Sequence, residues 1–227
     1  MNDILNKITI FAHLPEKIKD QLSEIVISKN VTKGEVLFHE ASPAEAVYFV
    51  NEGKVKISKS TPDGKEILLS IRQPGEMFAE VALFKEANCT YPATASVIEN
   101  GAVSLIRNEE LELFLYQHPE LGMAIFRVMA ERLQISQATL RDVALYGKLG
   151  ALAATLVRLT EDYGEASENG VIIKLKLTHE DLGSFFGATR ESVTRMMNQL
   201  KQQGILNKHQ GNIIINDLDG LKTYITN

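Results

Sequence analysis

Between about Val31 and Ile106, apolar and polar residues alternate in short bursts such as Ala46-Val-Tyr-Phe-Val50, Val55-Lys-Ile-Ser-Lys59 and Ile67-Leu-Leu-Ser-Ile71. A period of two puts successive side chains on opposite faces of a strand, so these bursts predict half-buried β-strands. Gly34, Gly53, Gly64 and Gly75 fall between them, with Asp63-Gly64 and Pro74-Gly75 as the strongest turn pairs. Many short strands separated by glycine turns predict a sandwich, barrel or jelly roll, preceded by a small helical piece at the N-terminus.

The period then changes. Pro119 suits the first turn of a helix that runs to about Tyr146, and Gly147 stands just past its end. Phe126, Met129, Leu133, Ser136, Leu140 and Val143 follow a 3-4-3-4-3 spacing, which draws a narrow apolar stripe with one small polar interruption. Such a stripe fits either an amphipathic helix packed on its own domain or the seam of a two-stranded coiled coil. The seam is the favoured expectation. A second helix is predicted from about Leu149 to Tyr163, ended by Gly164. A polar loop from Glu165 to Gly170 then leads into strand-like Val171 to Leu177. These breaks predict an α+β chain of three parts, residues 1–118, 119–146 and 147–227, with a hinge near Ala144 to Lys148.

The segment from Leu177 to Gly204 carries the strongest local signals. Thr178 and Thr189 each occupy an N-cap position, and Asp181 sits in an acidic first turn. Leu182, Phe185 and Phe186 form the apolar face of a short helix, and Gly187 permits a sharp turn after it. In the next helix Val193, Met196, Met197 and Leu200 face inward and Gly204 marks the end. Arg190, Glu191, Thr194 and Arg195 lie on the opposite face. Two capped helices joined at a glycine predict a helix-turn-helix, whose second helix presents its first turns to the DNA major groove. An arginine there can donate two parallel hydrogen bonds to guanine O6 and N7, and a glutamate can accept from cytosine N4. The plain alternative is a solvated helix face with an i,i+4 pair between Glu191 and Arg195. Ile205-Leu206 and Ile213 to Ile215 read as two strands turning at Gln210-Gly211, which makes a winged helix. Lys208, His209 and Gln210 at the wing tip are candidate phosphate contacts. The expected DNA-binding set is thus Thr178, Thr189, Arg190, Glu191, Ser192, Thr194, Arg195 and Lys208.

Charge supports that placement once it is divided along the chain. The 227 residues carry a net charge of -5, yet the nine Lys and Arg after residue 146 balance nine Asp and Glu, so the acidity is N-terminal. From Thr189 to Gln203, Arg190, Arg195 and Lys201 face only Glu191. No apolar run approaches the roughly 20 residues that span a bilayer, and the Met1-Asn2-Asp3 start lacks the order of a signal peptide. A cytoplasmic protein with no membrane partner is expected. The single cysteine, Cys89, excludes an intrachain disulfide and a four-thiolate iron–sulfur or zinc site. The five histidines show no metal-ligand spacing. No metal, no cofactor and no catalytic residue is expected. Cys89 has no adjacent cation in sequence and reads as a passive thiol.

From about Phe11 onward the chain resembles the cyclic-AMP receptor/anaerobic regulator (Crp/Fnr) family. Leu177-Thr178, Gly183, Gly187 and Arg190-Glu191-Ser192-Val193-Thr194-Arg195 fall at the family's helix-turn-helix spacings. The resemblance implies a double-stranded β-helix of the jelly-roll, cyclic-nucleotide-binding-like type, then a long dimerisation helix and a C-terminal winged helix-turn-helix. It implies a homodimeric transcription regulator on double-stranded DNA, with Arg190, Glu191 and Arg195 reading a palindrome of TGTGA-like half-sites. It also implies a contact with RNA polymerase through the surface at Glu165 to Gly170. Phe78-Ala79-Glu80-Val81-Ala82-Leu83-Phe84 resembles the family's phosphate-binding cassette, in which Glu80 would meet a ribose hydroxyl. Arg132 and Ser136 match pocket-facing positions on the long helix. The family's phosphate-binding Arg-Ser pair is replaced near Tyr91-Pro92, and no arginine occurs between Arg72 and Arg107. A buried phosphodiester needs a cation or a full set of donors, which argues against cyclic AMP. The expected small-molecule effector site is therefore Glu80, Tyr91, Arg132 and Ser136, its ligand unidentified. An alternative use of Glu80 is an ion pair with Arg132. Two rival functions stand beside this: a ligand-independent regulator with a scaffold-only β domain, and a cupin-like enzyme fused to a DNA-binding domain.

Overall fold

The computed structural model describes residues 2–60, 66–83 and 89–225. The chain divides into two compact units, Met1–Ala130 and Glu131–Asn227. The first contains α1 (Asn2–Lys7), α2 (Glu16–Ile25), β1 (Ile27–Val31), β2 (Val36–Phe38), β3 (Ala46–Ser60), β4 (Glu66–Arg72), β5 (Met77–Phe78), a 3-10 turn (Glu80–Ala82), β6 (Thr94–Arg107) and α3 (Asn108–Gln117). The long helix α4 (Pro119–Tyr163) starts in this unit and continues into the next. Every strand pair is antiparallel, in the order β1-β6-β3-β4, with β2 added to β6 and β5 to β3.

Alternation along β3 and β6 supplies the core. Val50, Val55, Val97 and Val103 pack with Val31, Phe78 and Ala95 inside the sheet. A second cluster joins Val47, Phe49 and Ile106 to Phe11, from the turn between α1 and α2, and to Leu22, Leu111, Leu121 and Ile125 from the helices. The turn expected at Gly53 does not form. β3 runs straight through, and its register against β6 shifts repeatedly between Val50 and Val55. Gly53 has φ 80°, and a Cβ on it would meet the Glu99 carbonyl oxygen 2.5 Å away. Gly101 on β6 is closed off in the same way by the Glu52 carbonyl. The two glycines therefore let a bulged pair of backbones touch, and the strand bends instead of reversing. Gly75, at φ 92°, does sit in a turn. The Asp63-Gly64 pair and Phe84 lie outside the described residues.

In the second unit α4 is interrupted at Gly147, whose φ of 64° and ψ of -166° are not helical. Beyond it Ala151 to Val157 are buried without a break. There follow β7 (Gly164–Ser167), β8 (Gly170–Ile173), α5 (His179–Ser184), α6 (Arg190–Gln202), β9 (Leu206–His209), β10 (Asn212–Ile215), α7 (Leu218–Lys222) and a 3-10 turn (Thr223–Ile225). The sheet order is β7-β8-β10-β9. Two expectations are corrected here. Most of the stretch from Glu165 to Gly170 is not loop: Glu165 to Ser167 pair with β8 as an edge strand. Lys208 and His209 lie within β9, and only Gln210 and Gly211, at φ 50° and 86°, form the wing tip.

α4 contains an 18-residue window apolar enough to cross a membrane by length and composition, contrary to the expectation that no such segment exists, and half of that window is buried. Its apolar residues serve two separate ends, a buried run after Gly147 and an exposed stripe before it. Phe126, Leu133 and Leu140 are 64%, 60% and 73% exposed, Met129 is also open, and Val143 is half-buried.

Candidate nucleic-acid interface

The interface is built from local chemistry first. The Thr178 hydroxyl accepts from the Asp181 amide at 3.0 Å, while the Thr178 amide donates to Asp181 Oδ2 at 2.8 Å. This reciprocal capping box satisfies two donors at the start of α5, a helix too short to persist alone. Leu182 and Phe186 are buried, and Phe185 is half-buried. Gly183 lies so close to the Ala188 carbonyl that a Cβ has no room, while Gly187 takes the left-handed turn at φ 70°. The Ala188 amide closes that turn on the Gly183 carbonyl at 2.8 Å.

Thr189 then caps α6, its hydroxyl accepting from the Ser192 amide at 3.3 Å. Val193, Met197 and Leu200 are buried, which fixes the rotation of α6 and turns Arg190, Glu191 and Arg195 to solvent. Met196, expected to face inward, is only half-buried. Arg195 Nη2 lies 3.4 Å from Ser192 Oγ, a weak tether that leaves the guanidinium donors available. The Glu191 carboxyl is held below the usual carboxylate range by its own amide and the Thr189 hydroxyl, with help from Arg190. It is therefore an obligate acceptor at neutral pH. The Thr194 hydroxyl is turned back on α6, 2.9 Å from the Arg190 carbonyl oxygen.

The structure adds a residue that the sequence reading did not single out. His179, the first residue of α5, places Nδ1 2.8 Å from Thr194 Oγ1. Partial burial lowers its pKa, and the positive charges of Lys208 and Arg190 lower it further. His179 thus gathers α5, α6 and the wing strand β9 at one point. Lys176 stands near the wing tip: a Cβ built on Gly211 would lie 3.9 Å from its Cε.

The four expected effector residues fall in different settings. Glu80 is 5% exposed and follows Ala79, a non-glycine residue held at φ 66°. Tyr91 is buried, and its hydroxyl donates to the Ala46 carbonyl at 2.9 Å and accepts from the Ala46 amide at 3.0 Å. Its ring stacks on Phe38 with centroids 3.8 Å apart, and burial pushes its pKa up to about 12. Both belong to the first unit. Arg132, half-buried, and Ser136, exposed, lie on α4 in the second. Cys89 is half-buried, with Sγ 3.9 Å from the Ala44 carbonyl. Among the described residues no group of three or more His, Cys, Asp or Glu is placed to hold a metal ion.

A nucleotide-binding-type β domain, a long helix and a capped, winged helix-turn-helix together define a class of transcription regulator. Comparison with known proteins agrees. The profile of the cyclic nucleotide-binding domain matches residues 28–118, and that of the Crp-like helix-turn-helix domain matches residues 150–224. The anaerobic regulatory protein of Bacillus subtilis is 36% identical over 205 residues, 90% of this chain and 86% of that protein. The CRP-like cAMP-activated global transcriptional regulator of Mycobacterium tuberculosis is 28% identical over 221 residues, 97% of this chain and 98% of that one. A CooA variant from Carboxydothermus hydrogenoformans shares the fold with a TM-score of 0.75 at 21% identity, over 94% of this chain and 92% of that one. The c-di-GMP responsive global regulator CLP of Xanthomonas campestris does so at 0.73 and 19%, over 88% and 99%. The chain belongs to the Crp/Fnr family of transcription regulators.

Proposed function

We propose that this regulator is a homodimer that binds an inverted repeat of TGTGA-like half-sites through α6. The observation that carries the reading is the outward face of α6. Two guanidinium groups and an ionised carboxylate stand on its first two turns, on a helix fixed by the Thr189 cap and by buried Val193, Met197 and Leu200. Arg190, Glu191 and Arg195 read base edges. Thr178, Thr189, Ser192 and Lys208 hold the phosphates that set the register, and Thr194 packs beside them. The exposed stripe on α4 is the seam between two copies, since apolar side chains in heptad order are costly to leave in water. The working parts are a sensor over residues 1–118, a dimerisation helix over 119–146 and a DNA-binding domain over 147–227. In this reading the protein works in the cytoplasm, as a DNA-binding protein and not an enzyme. The β7–β8 hairpin is the surface offered to RNA polymerase.

Glu80, Tyr91, Arg132 and Ser136 are the residues proposed to take an effector that is not cyclic AMP. A second reading is favoured by Tyr91. It stands where the family carries its phosphate-binding pair, and both functions of its hydroxyl are already engaged by Ala46. A β domain closed in this way serves as a scaffold, and the regulator then acts without a ligand. Selection of bound DNA from a random pool tests the main claim, using purified protein in ~100–200 mM salt where non-specific contacts fade. Enrichment of an inverted TGTGA-like repeat supports it, and a pool unenriched both with and without cell metabolites refutes it. Enrichment with no added metabolite selects the second reading. Enrichment that needs cell metabolites and is lost on Glu80→Ala with Ser136→Ala selects the first.

A further inference from the structure

His179 stands where α5, α6 and β9 meet. Thr194 Oγ1 is within hydrogen-bond distance of both His179 Nδ1, at 2.8 Å, and the Arg190 carbonyl oxygen, at 2.9 Å. A carbonyl only accepts, so the single Thr194 proton points to Arg190 and the hydroxyl lone pair faces the ring. Nδ1 therefore carries hydrogen. Nε2 is left as the variable atom, bare in the neutral ring and a donor in the imidazolium. The charged groups acting on the ring are Lys208 from β9 and Arg190 from α6. On its own helix the Asp181 carboxylate is held by Thr178, and Glu180 is exposed. Partial burial and two cations favour the neutral ring in the free protein. Phosphates arriving at Lys208, while Arg190 turns to the base edges, reverse that local field.

We infer that His179 takes up a proton when DNA binds, turning Nε2 into a third cationic donor between α6 and the wing, so that DNA affinity rises as pH falls. This rests on the reading that α6 and β9 face DNA. In the neutral form the ring is a positioning residue, holding Thr194 against α6. In the complex it is a phosphate ligand. The linkage has a definite sign. The ring's pKa is low in the free protein and higher beside phosphate, so between the two values each protomer gains up to one proton, and affinity rises up to about tenfold per pH unit per protomer as pH falls.

The test uses two fluorescein-labelled duplexes, one with inverted TGTGA half-sites about one helical turn apart and one scrambled, read by anisotropy from about pH 5.5 to 8 at fixed ionic strength. Wild type is compared with His179→Asn, whose amide N–H can replace Nδ1–H without titrating, and with His179→Arg, which is always charged. Thermal melts confirm that each variant folds. The expected result is a pH slope on both duplexes for wild type, a flat and weak response for His179→Asn, and a flat and tight one for His179→Arg. The same slope in wild type and His179→Asn overturns the inference, because the other four histidines remain in both. A slope without preference between the duplexes keeps the inference and removes the half-site reading. No binding to either duplex at any pH, with or without added cell metabolites, removes both.

Discussion

Asp142 and Arg158 stand on opposite sides of the helix break at Gly147, and Arg158 Nη1 reaches Asp142 Oδ2 at 3.5 Å. The Asp142 side chain is only 6% exposed, and a second guanidinium, that of Arg141, lies 3.0 Å from its other oxygen. Arg158 also donates to the Thr155 hydroxyl at 3.3 Å. The ion pair thus fastens the half of α4 that bears the exposed apolar stripe to the half that enters the DNA-binding domain. Breaking one partner of a buried pair leaves the other charge poorly solvated, which is why such truncations are costly. Arg141 softens the loss here.

Arg158→Ala and Asp142→Asn are therefore each expected to lower unfolding stability by about 1–3 kcal/mol. Chemical denaturation followed by circular dichroism at one protein concentration reads this directly. The double variant should cost clearly less than the two single losses added together, because both remove the same contact. Strictly additive losses would mean that the pair is not coupled.

The exposed stripe on α4 gives the second prediction. Leu133→Glu and Leu140→Glu place charges at the centre of the proposed seam, where like residues from two copies meet. Each is expected to yield monomer by sedimentation velocity, with the circular dichroism of the fold retained and palindromic DNA binding reduced at least tenfold. Dimers that persist in both variants would place the interface elsewhere.

What the sequence made legible was what depends on near neighbours. Thr178, Thr189 and Gly187 could be placed because a cap or a left-handed turn is decided within three or four residues. The Gly147 break was readable for the same reason. Gly53 was not, since whether a glycine reverses a strand or bulges within it depends on the distant carbonyls of Glu99 and Asn100. The β7 strand was hidden because Gly164 to Ser167 are almost wholly exposed and show no apolar alternation, so its strand character comes from pairing with β8. His179 and Tyr91 escaped full reading in the same way. Their decisive partners, Thr194 and Ala46, lie 15 and 45 residues away in the chain.

The Tyr91 hydroxyl supplies a prediction in alkaline solution. Its pKa is raised from 10 to about 12, so between those values the unfolded chain loses the phenolic proton while the folded one keeps it. The unfolded state then binds fewer protons, and stability falls as pH rises from about 10 to about 12, a loss absent below that window. Tyr91→Phe should abolish this component while weakening the β domain at neutral pH by about 1–3 kcal/mol, through the unpaired Ala46 amide and carbonyl. Urea midpoints measured across that range check both parts. An unchanged alkaline slope in the variant would show that another group is responsible.

Arg195 and Lys208 separate base reading from phosphate contact. Arg195 projects from the second turn of α6, where a bidentate pair with guanine is worth ~1–3 kcal/mol of discrimination. Lys208 lies in β9 beside His179, suited to the sugar-phosphate backbone. Arg195→Ala is expected to bind its best site roughly 5–150 times more weakly and to lose preference at one base pair of each half-site. Lys208→Ala should weaken all sequences alike and reduce the salt slope by about one unit per protomer. Binding of each variant to a panel of single-base substitutions, at two salt concentrations, measures both quantities. If Arg195→Ala weakens every duplex equally, Arg195 contacts phosphate, and the base-reading role falls to Arg190 and Glu191.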